Sequence, residues 1–361
     1  MTKESAYIYW LASSGISFKT YNQLIKEFSD ISYIFNNPHL INNTKYINEK
    51  QKISLKKRAD KNLINAEIKS LFSEKIGIIT LVDDKYPDRL KNITKPPLML
   101  YYKGDVKILS NKSISVVGTR SCSRVSYKNT FDICKELSNN GITIVSGIAN
   151  GIDSAALNGA LSGKTPCISV LGNGINIKYP AENVELYNTI SNSGLLLSEY
   201  SPTTPPYASN FPNRNRIISG LSPGIFIPHA PLKSGASITL NHALDENKDV
   251  FAMPGNINEE GSSLPNLLIS EGAITVTSAR DIIDFYGWDM FKTIPKEKNI
   301  TCKLDFCEQQ LYTLLKQGEL SIDDLARLTD TSVSKVSLTL INMEMNGIIV
   351  RLPGNIFGLN I

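Results

Sequence analysis

The sequence predicts an α/β protein built on a Rossmann-like, doubly wound and mainly parallel sheet. Short, almost wholly apolar runs recur between residues 113 and 253, and most of them end on glycine or serine. Amphipathic helical stretches separate them. Strands that are apolar on both faces and alternate with helices belong to a parallel sheet covered on both sides. In chain order, Ser113-Ile-Ser-Val-Val117 is a strand ending at Gly118, and a helix follows over about 123–137. Ile142-Thr-Ile-Val145 ends at Ser146-Gly147, before a helix over about 153–161. Cys167-Ile-Ser-Val-Leu171 ends at Gly172, and Leu195-Leu-Leu197 ends at Ser198-Glu199. Gly224-Ile-Phe-Ile227 precedes a helix over 237–247, and Val250-Phe-Ala-Met253 ends at Pro254-Gly255.

Two smaller units flank this core. Residues 1–75 read as a helical domain: Tyr21, Leu24, Ile25 and Phe28 recur at helical spacing, and Asn36-Asn-Pro38 breaks the pattern. A single helix is expected from Ile53 to Phe72. The α/β domain is bounded at 76–290, where Leu98-Met-Leu-Tyr-Tyr102 adds a short strand. Polar residues with Pro295 among them make 291–305 a linker. Residues 306–361 read as three helices and a hairpin, the pattern of a winged helix. Ser321-Ile-Asp-Asp324 carries the cap-then-acid signature of a helix start.

Composition narrows the function. A net charge of +4 over 361 residues is mild, but a basic run stands at Lys50-Gln-Lys-Ile-Ser-Leu-Lys-Lys-Arg58, for which a solvated helix face is the plain alternative. The five cysteines include no Cys-x-x-Cys pair, and three histidines are too few for a zinc site, so no metal is expected. An odd number of cysteines without a secretory pattern fits reduced thiols in the cytoplasm. No run of 18 apolar residues occurs, so no membrane association is expected.

Three strand ends carry the chemistry. Gly118-Thr-Arg120 with Ser121, Ser146-Gly147, and Gly172-Asn173-Gly174 all fall at the carboxyl edge of one parallel sheet, where open α/β folds bind ligands. Glycine lets backbone amides approach an anion, and the following helix offers its positive end. A tight turn is the plainer reading of any one of them. None is a full dinucleotide fingerprint, no P-loop occurs, and no cofactor is expected. In Ser209-Asn-Phe-Pro-Asn-Arg-Asn-Arg-Ile217, Phe211 stands beside Arg214, Asn215 and Arg216, with Tyr207 just upstream. Guanidinium forks suit phosphates and aromatic faces suit bases, which together describe a platform for single-stranded nucleic acid. The alternative is an arginine pair that braces the domain. Lys233-Ser234-Gly235 opens a helix, where Ser234 is either a ligand contact or a cap. Asp153 reads as a helix N-cap, His229 as structural, and Glu199 as the best carboxylate for any catalytic role.

In this order the motifs resemble the DNA-processing protein DprA (Smf) family. The matching stretches are Tyr86-Pro87, Pro96-Pro97, Val116-Val-Gly-Thr-Arg-Ser121, Ser146-Gly-Ile-Ala-Asn-Gly-Ile-Asp153, Gly172-Asn-Gly174, Tyr179-Pro180, Leu197-Ser-Glu199, Phe211-Pro-Asn-Arg-Asn-Arg-Ile217, Gly220-Leu-Ser222, Ser234-Gly235 and Pro254-Gly255. The N-terminus resembles the sterile-alpha-motif-like or helix-hairpin-helix-like domain often found in that family, and the C-terminus its winged helix. The chain departs from the common pattern at Ile227-Pro-His-Ala230 and Leu264-Pro-Asn266.

The resemblance implies a non-enzymatic protein that binds single-stranded DNA, forms a homodimer through the Rossmann-like domain, and helps load the RecA recombinase during natural transformation. It implies phosphate contacts at Gly118, Thr119 and Arg120, a pocket shaped by Arg214 and Arg216, and Lys233 and Ser234 beside it. Leu267, Ile269 and Ile274 are the apolar dimer-edge candidates near the end of the sheet. Two rivals stand beside this reading. One is a nucleotide phosphoribohydrolase of the lysine-decarboxylase-like class, whose Pro-Gly-Gly-x-Gly-Thr loop is not matched by Pro254-Gly-Asn256. The other is an interaction scaffold. The third C-terminal helix has Lys335 as its one cation, offset by Glu344, and the hairpin adds only Arg351. That charge is thin for duplex binding, so the module is expected to contact protein.

Overall fold

The computed structural model describes residues 2–288, 305–316, 318–346, 348–352 and 354–359. The expected linker therefore lies outside the described residues, apart from Asp305. The chain divides into two compact units, Met1–Asp289 and Met290–Ile361.

The first unit opens with helices α1 (Lys3–Ser13), α2 (Phe18–Phe28), α3 (Ile31–Asn36), α4 (Glu49–Arg58) and α5 (Lys61–Ser73). The single helix expected over 53–72 is thus two. Asp60 breaks it by leaving helical geometry to cap α5, accepting from the amides of Asn62 and Leu63. Trp10, Leu24, Ile34 and Leu55 from these helices share one buried core with Tyr101, Ile144 and Leu196 of the sheet. Residues 1–75 therefore pack as part of the first unit.

The sheet comprises β1 (Gly77–Thr80), β2 (Met99–Gly104), β3 (Ser113–Val116), β4 (Thr143–Ser146), β5 (Ile168–Leu171), β6 (Leu195–Ser198), β7 (Gly224–Ile227), β8 (Asp249–Ala252) and β9 (Ile274–Thr275). Among the described residues the order is β1-β2-β6-β5-β4-β3-β7-β8-β9. From β6 to β9 all neighbours are parallel, whereas β2 runs antiparallel to β6 and to β1. The expected mainly parallel, doubly wound sheet is present. Its connecting helices are α6 (Asp88–Lys91), α7 (Arg124–Asn139), α8 (Ile152–Leu161), α9 (Val184–Ser193), α10 (Asn210–Gly220), α11 (Gly235–Asp245), α12 (Ser263–Ser270) and α13 (Ala279–Phe285). The chain winds outward from β3 to β6, then returns to place β7 on the other side of β3. This reversal is the topological switch point, and its crevice opens at the carboxyl ends of β3 and β7.

Strands β3 to β7 are buried along their whole length. The two serines of β3 are satisfied internally and position α10. Ser115 Oγ donates to the carbonyl of Ile218 (2.6 Å) and Ser113 Oγ to that of Leu221 (2.9 Å), which fastens the C-terminal half of α10 to β3. Pairing buried hydroxyls with carbonyls removes most of their desolvation penalty.

The second unit contains α14 (Phe306–Leu315), β10 (Leu320–Ser321), α15 (Ile322–Leu328), α16 (Val333–Met345), β11 (Ile349–Leu352) and β12 (Ile356–Leu359). Ser321 caps α15 as its sequence signature indicates. Strands β11 and β12 form the hairpin, and β10 pairs with β12 to give the three-stranded sheet of a winged helix. No helix among the described residues is long and apolar enough to cross a membrane.

Candidate nucleic-acid interface

The loop after β3 and the loop after β7 form the walls of the switch-point crevice. Gly118 lies so close to the second loop that a Cβ would stand 2.6 Å from the carbonyl oxygen of His229. The Thr119 amide donates to that same oxygen (2.9 Å). Residues that sequence spacing separates widely are thereby brought together. Gly118, Thr119, Arg120, Phe211, Arg214, Asn215, Lys233, Ser234 and Gly235 line one cleft of about 550 Å³. A neighbouring cleft of about 360 Å³ continues past Arg120, Phe211 and Arg214 to Gly147, Gly172, Asn173, Lys178 and Tyr179.

The cations of this site fall into two classes. Arg120 and Lys233 are exposed. Neither has an acidic partner within 4.0 Å among the described residues, and the Arg120 guanidinium lies 5.9 Å from the centre of the Phe211 ring. Arg214, by contrast, is 4 % exposed. It stands at i relative to Ile217, Ile218 and Leu221 at i+3, i+4 and i+7, so it occupies the core-facing stripe of α10. Its Nη1 donates to the carbonyls of Gly147 (2.9 Å) and Val170, which ties α10 to the ends of β4 and β5. Burial pushes the Arg214 guanidinium down to about 10, against the pull of Asp153. Burial pushes the Asp153 carboxyl up to about 6, opposed by Arg214 and by backbone amides that donate to it. Asp153 is therefore a buried carboxyl coupled electrostatically to Arg214, and not the N-cap expected. The cap position belongs to Gly151, at φ 76°.

Arg216 is drawn away from the cleft. Its Nη2 donates to both carboxylate oxygens of Glu199, at 2.7 and 2.9 Å. The carboxylate marked as the best catalytic candidate is thus engaged in bracing β6 to α10. His229 is buried, with Gly261 packed on its ring and Glu259 Oε1 3.0 Å from its Nε2. Three further strand-end residues turn inward. Ser146 donates to the carbonyl of Val116, Asn173 donates to those of Gly174 and Ile177, and Gly174 packs on Ser201. A Cβ on Gly147 would strike the Arg214 guanidinium, and one on Gly172 the Phe211 ring, so these glycines make room for protein. Gly235 differs, with nothing within 4 Å of its would-be Cβ. It opens α11 into the cleft. Ser234 sits at the cap position of that helix without making the capping bond, and its buried Oγ has no partner.

Ser121 is exposed, its amide donating to Thr119 Oγ1 (3.2 Å). Tyr207 is 57 % exposed and lines neither cleft. The aromatic partner that Phe211 does have is Tyr179, with ring centroids 5.7 Å apart. Tyr179 and Lys178 follow the third strand-end loop, and that position was the signal available for them.

Residues 77–287 match the family described as DNA recombination-mediator protein A, and residues 295–355 match the DprA winged helix domain. The chain belongs to the DNA recombination-mediator protein A family. Protein Smf of Escherichia coli, a relative, is 35 % identical over 277 residues, covering 74 % of each chain. Among solved structures, DprA from Streptococcus pneumoniae superposes with a TM-score of 0.68 at 34 % identity, covering 79 % of this chain and 98 % of that one. DprA from Helicobacter pylori, whose structure is described in terms of its single-stranded DNA binding mode, gives a TM-score of 0.53 at 31 % identity, covering 59 % and 96 %. As a DNA recombination-mediator protein A, the chain has the strand-end cleft just described within the segment that carries the family match.

Proposed function

We propose that the chain binds single-stranded DNA, with little sequence preference, in the switch-point cleft. It then assists loading of the RecA recombinase on that strand during recombination and natural transformation. One observation carries the reading. Arg120 and Lys233 stand free at the rim of a cleft whose inner arginine is buried and bonded to the carbonyls of Gly147 and Val170. Their charge is left for a phosphate backbone, beside the open N-terminus of α11 and the Phe211–Tyr179 rings. Backbone contacts position a strand without reading its sequence. The single-stranded DNA binding described for the Helicobacter pylori relative supports the same reading.

Binding of single- and double-stranded oligonucleotides across a range of salt is the direct test. The expected result is tighter, salt-dependent binding of the single strand, with RecA assembly on it accelerated by the chain. Preference for duplex, or binding indifferent to salt, would sink the reading.

We also propose a homodimer through the β8–β9 end of the sheet. Leu267 projects from α12 at 41 % exposure. Ile269 is half-buried against the core and Ile274 lies on the outermost strand, β9. Leu267→Glu should sediment as a monomer, and a dimer of unchanged stability would place the interface elsewhere.

A further inference from the structure

The net positive charge of this chain does not come from the segment that holds the cleft. Residues 77–288 contain 18 Lys/Arg against 18 Asp/Glu, a balance of zero. Residues 1–76 contain 12 Lys/Arg against 7 Asp/Glu, a balance of +5. Part of that excess gathers where α4 ends and α5 begins. Lys50, Lys56 and Lys57 on α4 and Lys61 on α5 are all exposed. None has an acidic group within 4.0 Å among the described residues. The other cations of the run are committed: Lys52 pairs with Glu49 (3.0 Å) and Arg58 with Glu67 (2.5 Å).

Helix stability does not account for this pattern. Lys56 and Lys57 lie in the last turn of α4, where a cation favours the helix dipole. Lys50 is in the first turn of α4 and Lys61 is the first residue of α5, where a cation opposes it. Lys50, Ile53 and Lys57, at i, i+3 and i+7, share one outward face, and Ile53 is 64 % exposed on it. Leu55 is the buried residue of α4 and points to the other side. A face with unpaired cations two turns apart matches a polyanion better than it matches the helix.

We infer that the α4–α5 lysine face is a second, sequence-independent binding surface for the phosphate backbone of DNA, separate from the switch-point cleft. It rests on the DNA-binding reading of this chain but not on the residues of the cleft. A strand longer than the cleft would gain affinity from this face by counterion release, whereas one short enough to sit in the cleft would not.

The test uses the full chain with Lys50→Gln, Lys56→Gln and Lys57→Gln combined, and two thymidine oligonucleotides, one short enough for the cleft alone and one several times longer. On the long strand the slope of log K against log salt should fall by about 0.7 per lost contact, so by about 2 in total. On the short strand neither slope nor affinity should change. Replacing the same lysines by arginine keeps the charge and should keep the long-strand slope. An unchanged long-strand slope in the glutamine variant overturns the inference, as does equal loss on both strands. Arg120→Ala separates this from the cleft reading. If it weakens neither strand while the lysine variant still weakens the long one, the cleft assignment fails and the lysine face stands.

Discussion

The switch-point cleft and helix α16 both occupy positions at which their folds commonly meet ligands, yet they present opposite surfaces. At the cleft, exposed Arg120 and Lys233 share the lining with a buried Arg214 that is bonded to backbone carbonyls. On α16, Val336, Leu340 and Met343 are buried, while Leu338, Ile341 and Met345 are 63, 49 and 82 % exposed on the opposite side. Residues 305–359 carry 7 Asp/Glu against 4 Lys/Arg, a balance of −3. A fold offers a place for a ligand, and only the side chains presented there decide which ligand it suits. The cleft presents cations at its rim, whereas α16 presents an apolar face.

The largest expected effect breaks the cleft from within. Arg214→Met would leave the buried Asp153 carboxyl without the nearby positive charge that opposes its desolvation, and the carbonyls of Gly147 and Val170 without their donor. It should destabilise the first unit by about 3–5 kcal/mol. Trp10 and Trp288 are the two tryptophans of the chain and both belong to that unit, so denaturant unfolding followed by tryptophan fluorescence reports it. A loss below about 1 kcal/mol would mean that Arg214 is not a brace.

Next comes the pH dependence of Asp153. Asp153 is raised from 3.8 to about 6, so the folded state favours its protonated form. Its contribution to stability is complete below about pH 4 and is lost as pH rises through about 6, a change on the order of 3 kcal/mol. Asp153→Asn should flatten that part of the stability profile. An identical profile in the variant would assign the dependence to other groups.

Smaller effects contrast the two surfaces directly. Arg120→Ala should weaken single-strand binding about tenfold, or about 1.4 kcal/mol, and lower the salt slope by about 0.7. Lys335→Ala should change neither. Equal effects from both substitutions would erase the distinction between cleft and α16. Smallest of all, deletion of residues 300–361 should leave single-strand affinity within about threefold, under about 1 kcal/mol. A greater loss would bring the winged helix into the DNA site.

The alternation of apolar strands and helices was legible because both faces of a parallel sheet are buried, and that leaves a strong local pattern. The elements missed lacked such a pattern. Helix α10 contains three asparagines and a proline, and it is held by Ile217, Ile218 and the serine hydroxyls of β3 rather than by its own propensity. Strand β9 has two residues, too few for any period. The break between α4 and α5 turned on one capping aspartate inside an otherwise helical run.

By itself the sequence determined the strand ends, the glycines at them, the winged-helix pattern and the family resemblance, because each is written in residues close together along the chain. The tertiary structure alone decided which cations remain for a ligand. Arg214 and Arg216 look alike in the sequence, two positions apart, yet one faces Asp153 in the core and the other reaches Glu199. Arg120 and Lys233, far apart in the chain, are left free on facing loops. The physical reason is that an arginine's availability depends on its counter-ion and its burial. Both are set by contacts between distant segments, on which periodicity and composition carry no information.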